Sequence, residues 1–517
     1  ITGDNQIYQT YGGPLMTLTN SGTIQKTGGS GISQISNFQL VNRPPGIVQA
    51  TSGTLRIQGG GSNEIGGQFI ATSPGLVTIT SGTWFDSGGT ASGTGTNRFD
   101  GGTLNLRTNI IPNLRHTGGD IYVIANTFQQ GGAITNLTID GAQLRGTNRV
   151  GNGTLLIRSG GVNGRLTIQP AGTLQFATAP NKNVYNLHLI NQGTVDWSAG
   201  NLLGGNTAST NISNGGLWLV SGDNQIYQTY GGPTITWTNT GILRKTAGAG
   251  ISQISNFMFV NRPGATVEAL SGTLQFNGTD SPASQLGGQF LATAPAVVNL
   301  AGGTWTDAGG TAGGTGITRF NGTILNLRTN IIPNLLHTGG DIYVIANTFQ
   351  QSGAITNLAL DGSQLRGTNR IGTGILTLRS GGTDGQLTVE PGGTLRFTND
   401  SNKNVYNLVL LNRGTVEWFG GNLLGGNTSS TTISNGGLWQ ITGDSQIYQT
   451  YGGPTPNWLN TGTLRKSGGT GISHISSFNF VNAPGGIVQA LSGTLQLSGG
   501  TNNLIGGTFS ATTTGLI

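Results

Sequence analysis

Apolar residues in this chain come two or three at a time, spaced two apart. Gly102-Thr103-Leu104-Asn105-Leu106, Gly172-Thr173-Leu174-Gln175-Phe176 and Gly193-Thr194-Val195-Asp196-Trp197 all follow the pattern. A period of two sends alternate side chains to opposite faces, which is the repeat of a β-strand and not of a helix. Between these pulses stand Asn-x-Gly, Ser-Gly-Gly and Asp-Gly, whose glycine and asparagine tolerate the left-handed backbone of sharp corners. The pattern predicts very short strands and no helix.

The corners are periodic. Asn191, Asn214, Asn239 and Asn261 recur at intervals of 23, 25 and 22, and Asn412, Asn435, Asn460 and Asn482 repeat the same intervals. Hairpin folds have no need of the same corner at that interval, whereas a chain that coils on itself does. The expected fold is therefore all-β: a right-handed parallel β-helix, or β-solenoid, of about 22-residue coils forming a single continuous shaft. Its handedness follows the rule for parallel crossovers. Leu55, Ile57, Val77, Ile79, Leu104, Leu106, Leu155, Ile157, Leu174, Phe176, Val195 and Trp197 should point inward, with Asn105, Arg107, Gln175 and Asp196 outward.

A longer repeat lies over the coils. Gly3-Asp4-Asn5-Gln6-Ile7-Tyr8-Gln9-Thr10-Tyr11-Gly12-Gly13-Pro14 returns almost unchanged at Gly222 to Pro233 and at Gly443 to Pro454, with Asp4, Asp223 and Asp444 at equivalent points. Residues 1–219 form a first long repeat, 220–440 a second and 441–517 the start of a third. Each full copy should hold roughly ten coils and advance roughly 48 Å at about 4.8 Å per strand. The one length change is local. The stretch from Arg56 to Gly66 is two residues shorter than Gln275 to Gly287, as expected where a surface turn absorbs an insertion.

Composition narrows the class. The chain has 517 residues, 93 glycines, no cysteine and only 8% charged residues, where ordinary soluble domains carry about 25%. No segment approaches the roughly 18 apolar residues of a membrane span. A net charge of +6 is too dilute over this length to mark a nucleic-acid groove. The absence of cysteine fits a secreted fibre without disulfides. Ile1-Thr2-Gly3-Asp4 repeats the interior phrase Ile441-Thr442-Gly443-Asp444, so the shaft is expected to continue in both directions, through more chain or end-to-end contact.

Chemistry-bearing residues are sparse. The corner asparagines are expected to form ladders, each amide bonding to the next coil; the alternative is exposed turn residues. Asp140 follows Asp120 by close to one coil, and Asp361 follows Asp341 likewise; such pairs serve as acid and base or bind calcium when they share a face. Asp140 before Gly141 reads instead as a turn residue, and no third acid accompanies the pair. Arg98, Arg107, Arg115, Arg145, Arg149, Arg158 and Arg165 read as a solvated face, since Leu336 and Gln386 replace two of them in the next copy. His116, His188, His337 and His474 read as surface-turn residues, too scattered for a metal. Tyr8, Tyr11, Tyr227, Tyr230, Tyr448 and Tyr451 suit either a sugar-stacking shelf or packing between fibres. We therefore expect no enzyme, no catalytic, cofactor-binding or metal-binding residues, and no cofactor.

Asn239-Thr240-Gly241-Ile242-Leu243-Arg244-Lys245, Asn460-Thr461-Gly462-Thr463-Leu464-Arg465-Lys466 and Gly414-Thr415-Val416-Glu417-Trp418 resemble the repeats of giant bacterial surface proteins, the haemagglutinin-like and autotransporter-passenger adhesins. The resemblance covers the whole chain and lies in the style of the repeats. It implies a bacterial, extracellular, cell-surface fibre or filament whose shaft mediates adhesion or cell-cell contact. Its expected partners are further copies of the same fibre end to end and cell-surface glycans, with no nucleic acid and no membrane span in this segment. The other reading is a glycan-binding or glycan-cleaving β-helix, which for cleavage requires acids converging in one groove.

Overall fold

The computed structural model describes residues 1–106, 111, 113–123, 134–205, 207–229, 231–327, 332, 334–344, 357–450 and 452–517. They are all-β and wind into a parallel β-solenoid of about 21 turns spaced by roughly 22 residues. Two compact units divide the chain, one of residues 1–260 and 265–274, the other of 261–264 and 275–517. Each is built by the same rule.

The segment Ile134–Ile168 displays that rule. Its Gly153–Ile157 portion pairs with Gly172–Phe176, Gly160 and Gly161 pair with Lys182 and Asn183, and Gly164–Ile168 pairs with Leu187–Asn191. One coil thus offers three faces to three strands of the next. The expectation of uniformly short strands is corrected here, because Ile134–Ile168 is an unbroken run of 35 residues. Pairing continues around its corners, where Gly160 and Gly164 adopt positive φ, a conformation that costs a side-chain-bearing residue far more than glycine.

Side chains alternate as expected. All twelve apolar residues named as core are essentially inaccessible, each stacked on its counterpart one coil away, as Leu174 is on Val195 and Phe176 on Trp197. Asn105, Gln175 and Asp196 do face outward, yet they are half-buried. The coils on either side lie one strand spacing away and cover their stems, and Gln175 Nε2 donates to Asp196 Oδ2 at 3.1 Å. Arg107 lies outside the described residues. The two-residue insertion falls in the exposed turn at residues 280–282, as expected for a surface loop.

Coil length is not constant. Along one face of the first unit, the offset between successive partners grows through 19, 21, 23 and 25, from Thr154 through Thr173, Thr194 and Leu217 to Ile242. The second unit repeats the series from Ile375 through Thr394, Thr415 and Leu438 to Thr463. Elsewhere a coil shrinks to 17, at Thr103 with Asp120 and at Ile324 with Asp341. Wide coils admit bulky fillers: Trp218 stacks on Trp237 with ring centroids 4.4 Å apart, and Trp439 on Trp458 at 4.5 Å.

Candidate functional site

The corner asparagines form ladders. In the second unit Asn412 Nδ2 donates to Asn435 Oδ1 at 2.6 Å, Asn435 to Asn460 at 2.7 Å and Asn460 to Asn482 at 2.7 Å. The other N–H of each amide meets a backbone carbonyl, of Leu438, Thr463 and Ile487 respectively. In the first unit Asn191, Asn214 and Asn239 do the same, and Asn20 bonds Asn42. These residues are buried at strand ends, and none has positive φ, so hydrogen bonding and not turn geometry selects asparagine there. A buried primary amide left unpaired is costly; stacked, each satisfies the next.

Beside the ladders lies a set of buried lysines that the sequence reading missed. The side chains of Lys26, Lys245 and Lys466 are fully buried. Lys245 Nζ donates to Asp223 Oδ1 at 2.8 Å, Ser252 Oγ at 2.8 Å and the carbonyls of Ala247 and Gly222. Lys26 makes the matching set with Asp4, Ser33, Gly28 and Gly3, and Lys466 with Asp444, Ser473, Gly468 and Gly443. The hydrogen bond from lysine, with one from the Gly250 amide, holds the Asp223 carboxyl below its ordinary range, and Asp4 and Asp444 are held down in the same way. The signal was present: each aspartate of the long repeat stands 22 positions before its lysine, and lysine follows Leu-Arg or Ile-Gln at the inward beat.

Lys182 and Lys403 are buried without such a carboxylate. Lys403 Nζ donates to the carbonyls of Asn399 at 2.6 Å and Gly420 at 2.8 Å, and Lys182 to those of Thr178 and Ala199. Burial pushes both ammonium groups down to about 8. Gly200 and Gly421 make room for them, since a Cβ at either would collide with the lysine nitrogen.

The histidines correct the expectation. All four lie in strands, and His116 and His337 are fully buried. His116 pairs in register with Phe99 and His337 with Phe320, so both occupy inward positions where a flat ring fits the apolar column. Burial pushes both down to about 4, keeping them neutral. His188 is exposed, and His474, half-buried, lies 2.7 Å from Ser498 Oγ.

The acidic pairs are not brought together. Asp120 aligns with Gln143, whereas Ile139, the neighbour of Asp140, aligns with His116. Asp120 pairs with Arg145 at 2.7 Å, and Asp140 with Arg115. Burial pulls the Asp140 carboxyl up, but bonds from Arg115 and Ser159 outweigh it and hold it low. In the second unit Asp361 accepts from Ser380 Oγ at 2.9 Å. Several members of the arginine stripe are thus committed to carboxylates. Tyr8 and Tyr11 are exposed, Tyr227 and Tyr448 half-buried, and Tyr230 and Tyr451 lie outside the described residues. Among the described residues no three His, Asp or Glu side chains are grouped to hold a metal ion, and no helix is long and apolar enough to cross a membrane.

A concave feature lies beside these pairs. Gln364, Arg366, Asp384, Asn404, Tyr406, Asn407 and Asn427 line a groove of about 250 Å³ on the second unit. Arg366 is its hub, 3.0 Å from Asp341 and 3.3 Å from Asp384, and the Tyr343 hydroxyl lies 3.4 Å from Asp341. The residues come from successive coils, so no local motif announces them. No protein family, no characterised protein and no solved structure matches this chain.

Proposed function

We propose that the chain is the structural shaft of an extracellular, cell-surface fibre or filament, bacterial in type, that serves adhesion or cell-cell contact and carries no catalytic centre. The observation that supports this most is the internal scaffold of the described coils in each unit. Apolar columns, an asparagine ladder and caged lysines recur copy after copy, the construction expected of a load-bearing repeat in which each coil is stabilised by its neighbours. Further copies of the same fibre, end to end, are the partners this reading names, with cell-surface glycans as the adhesion target.

The test is microscopy of the native surface with an antibody against the Tyr-Gly-Gly-Pro segment. Labelled fibres with an axial period of roughly 48 Å, from about ten coils of 4.8 Å, support the shaft. Label confined to the cell interior, or surface label without fibres, overturns it.

A second reading, glycan binding along the shaft, is favoured by the groove around Arg366. Cleavage is not, because both carboxylates beside that arginine are paired with it and neither is left as a free proton donor.

A further inference from the structure

We propose that the groove of the second unit is a binding site for a single uncharged pyranose ring, the end or branch of a neutral glycan. The proposal rests on the glycan-binding reading and gives it a place and a ligand class. Three features carry it.

The first is chemistry. Planar amides from Gln364, Asn404, Asn407 and Asn427 converge with a carboxylate, a guanidinium and the Tyr406 ring. Amides present donors and acceptors side by side, as neighbouring sugar hydroxyls require, and an aromatic ring with a polar tip packs on a sugar's C–H face while its edge stays wet. The amides of Gln364 and Asn404 are half-buried, and among the described residues neither side chain takes a protein hydrogen-bond partner, unlike the ladder asparagines.

The second is size. At about 250 Å³ the groove falls below the roughly 300–1,000 Å³ of sites for drug-sized ligands, which suits one ring with its remaining units in solvent.

The third is charge. Asp341 and Asp384 flank one arginine, so the local balance is one net negative charge and the guanidinium is already engaged. A uronic acid or a sulfated sugar would face repulsion and find no free cation, whereas neutral hydroxyls can donate to Asp384 and accept from the Gln364 and Asn404 amides. The first unit keeps Gln143, Arg145, Asn183, Tyr185 and Asn186 at the equivalent positions but has Asn163 where the second has Asp384.

The experiment is saturation-transfer NMR and titration calorimetry of the whole chain with methyl glucoside, methyl galactoside, N-acetylglucosamine and glucuronic acid. A saturable millimolar interaction with at least one neutral sugar, about tenfold weaker for glucuronic acid, is expected. Tyr406→Ala should weaken it about tenfold while Tyr406→Phe keeps most of it. Asp384→Asn, which copies the first unit, folds and reduces the discrimination against glucuronic acid. Sugar binding that ignores Tyr406→Ala in a folded variant overturns the groove and leaves glycan binding standing. Saturation by none of the neutral sugars overturns both, and neither result touches the shaft, which microscopy reads.

Discussion

Residues 153–220 and 374–441 are two castings of the same coils; inside they exchange only residues of similar size, as Ile157 for Leu378, Ile168 for Val389 and Val162 for Thr383, while outside they exchange charge. Inside, Phe176 and Phe397, Val195 and Val416, Trp197 and Trp418, and Lys182 and Lys403 occupy matching buried positions. Outside, the hydrogen bond of Gln175 to Asp196 becomes an ion pair of Arg396 with Glu417 at 2.6 Å. Gln169 and Gln192 become Glu390 and Arg413, 3.7 Å apart. Partners change together, so what survives between the copies is the contact across coils and not the residue. The interior admits only exchanges that nearly keep the volume, such as Val220 for Ile441, because each side chain there packs against coils above and below at once.

The comparison breaks first if equivalent core truncations are unequal. Phe176→Ala and Phe397→Ala should each destabilise their coils by about 3–5 kcal/mol, read as matching losses of amide-exchange protection. A large loss in one copy with none in the other would show that the interiors are not equivalent.

Removing an aspartate from a lysine cage should come next. Asp223→Ala and Asp444→Ala leave a buried ammonium held by a serine and two carbonyls; the aspartates themselves are exposed, so no more than about 3 kcal/mol is expected, the low end for leaving a buried charge without its partner. Replacing the lysine by methionine in the same background should recover part of that loss.

Acid should act on both copies alike. His116 and His337 ionise near 4 in the fold against an ordinary 6.5, so below pH 6.5 the unfolded chain binds protons that the native chain refuses. The histidine contribution should therefore be flat above pH 6.5 and fall as pH drops from 6.5 towards 4, by on the order of 3 kcal/mol for each histidine. His337→Phe should remove that slope in its own copy alone, as read by amide exchange at several pH values.

The ladder is a smaller lever. Asn435→Ala interrupts it on both sides and leaves the Asn412 donor and Asn460 acceptor unpaired, for about 2 kcal/mol. The smallest effect is outside: Arg396→Gln with Glu417→Asp rebuilds the first copy's pair in the second and should change stability by less than about 1 kcal/mol. What it should reduce is the salt dependence of that coil, where the Glu390–Arg413 pair remains.

Much of this fold was legible in the residues because two signals agreed. Alternation assigned Leu174 and Phe176 to the interior, and the interval from Asn412 to Asn435 to Asn460 declared a coil that returns to the same corner. The same alternation places His116 inward, two residues after Leu114, and Lys245 inward, two after Leu243; for His116 the surface-turn expectation stood against it. For Lys245 the missing element was Asp223, one coil earlier, which makes burial tolerable. The groove around Arg366 was not legible. Its side chains stand on separate coils, at Gln364, Asp384, Asn404 and Asn427, and no local window of sequence contains that geometry.

The series of coil lengths, 19, 21, 23 and 25, works as a combination lock on folding errors. Were all coils alike, the chain could slip by one coil and lose little, since one ladder asparagine reads the same as the next. With graded lengths, a slip of one coil leaves two residues over in each coil of the series and strands the caged lysine opposite a coil that has no aspartate. A slip of one whole long copy meets the same series and the same cage again. The error this chain is left open to is therefore the exchange of complete copies, within one molecule or between two, and never of single coils.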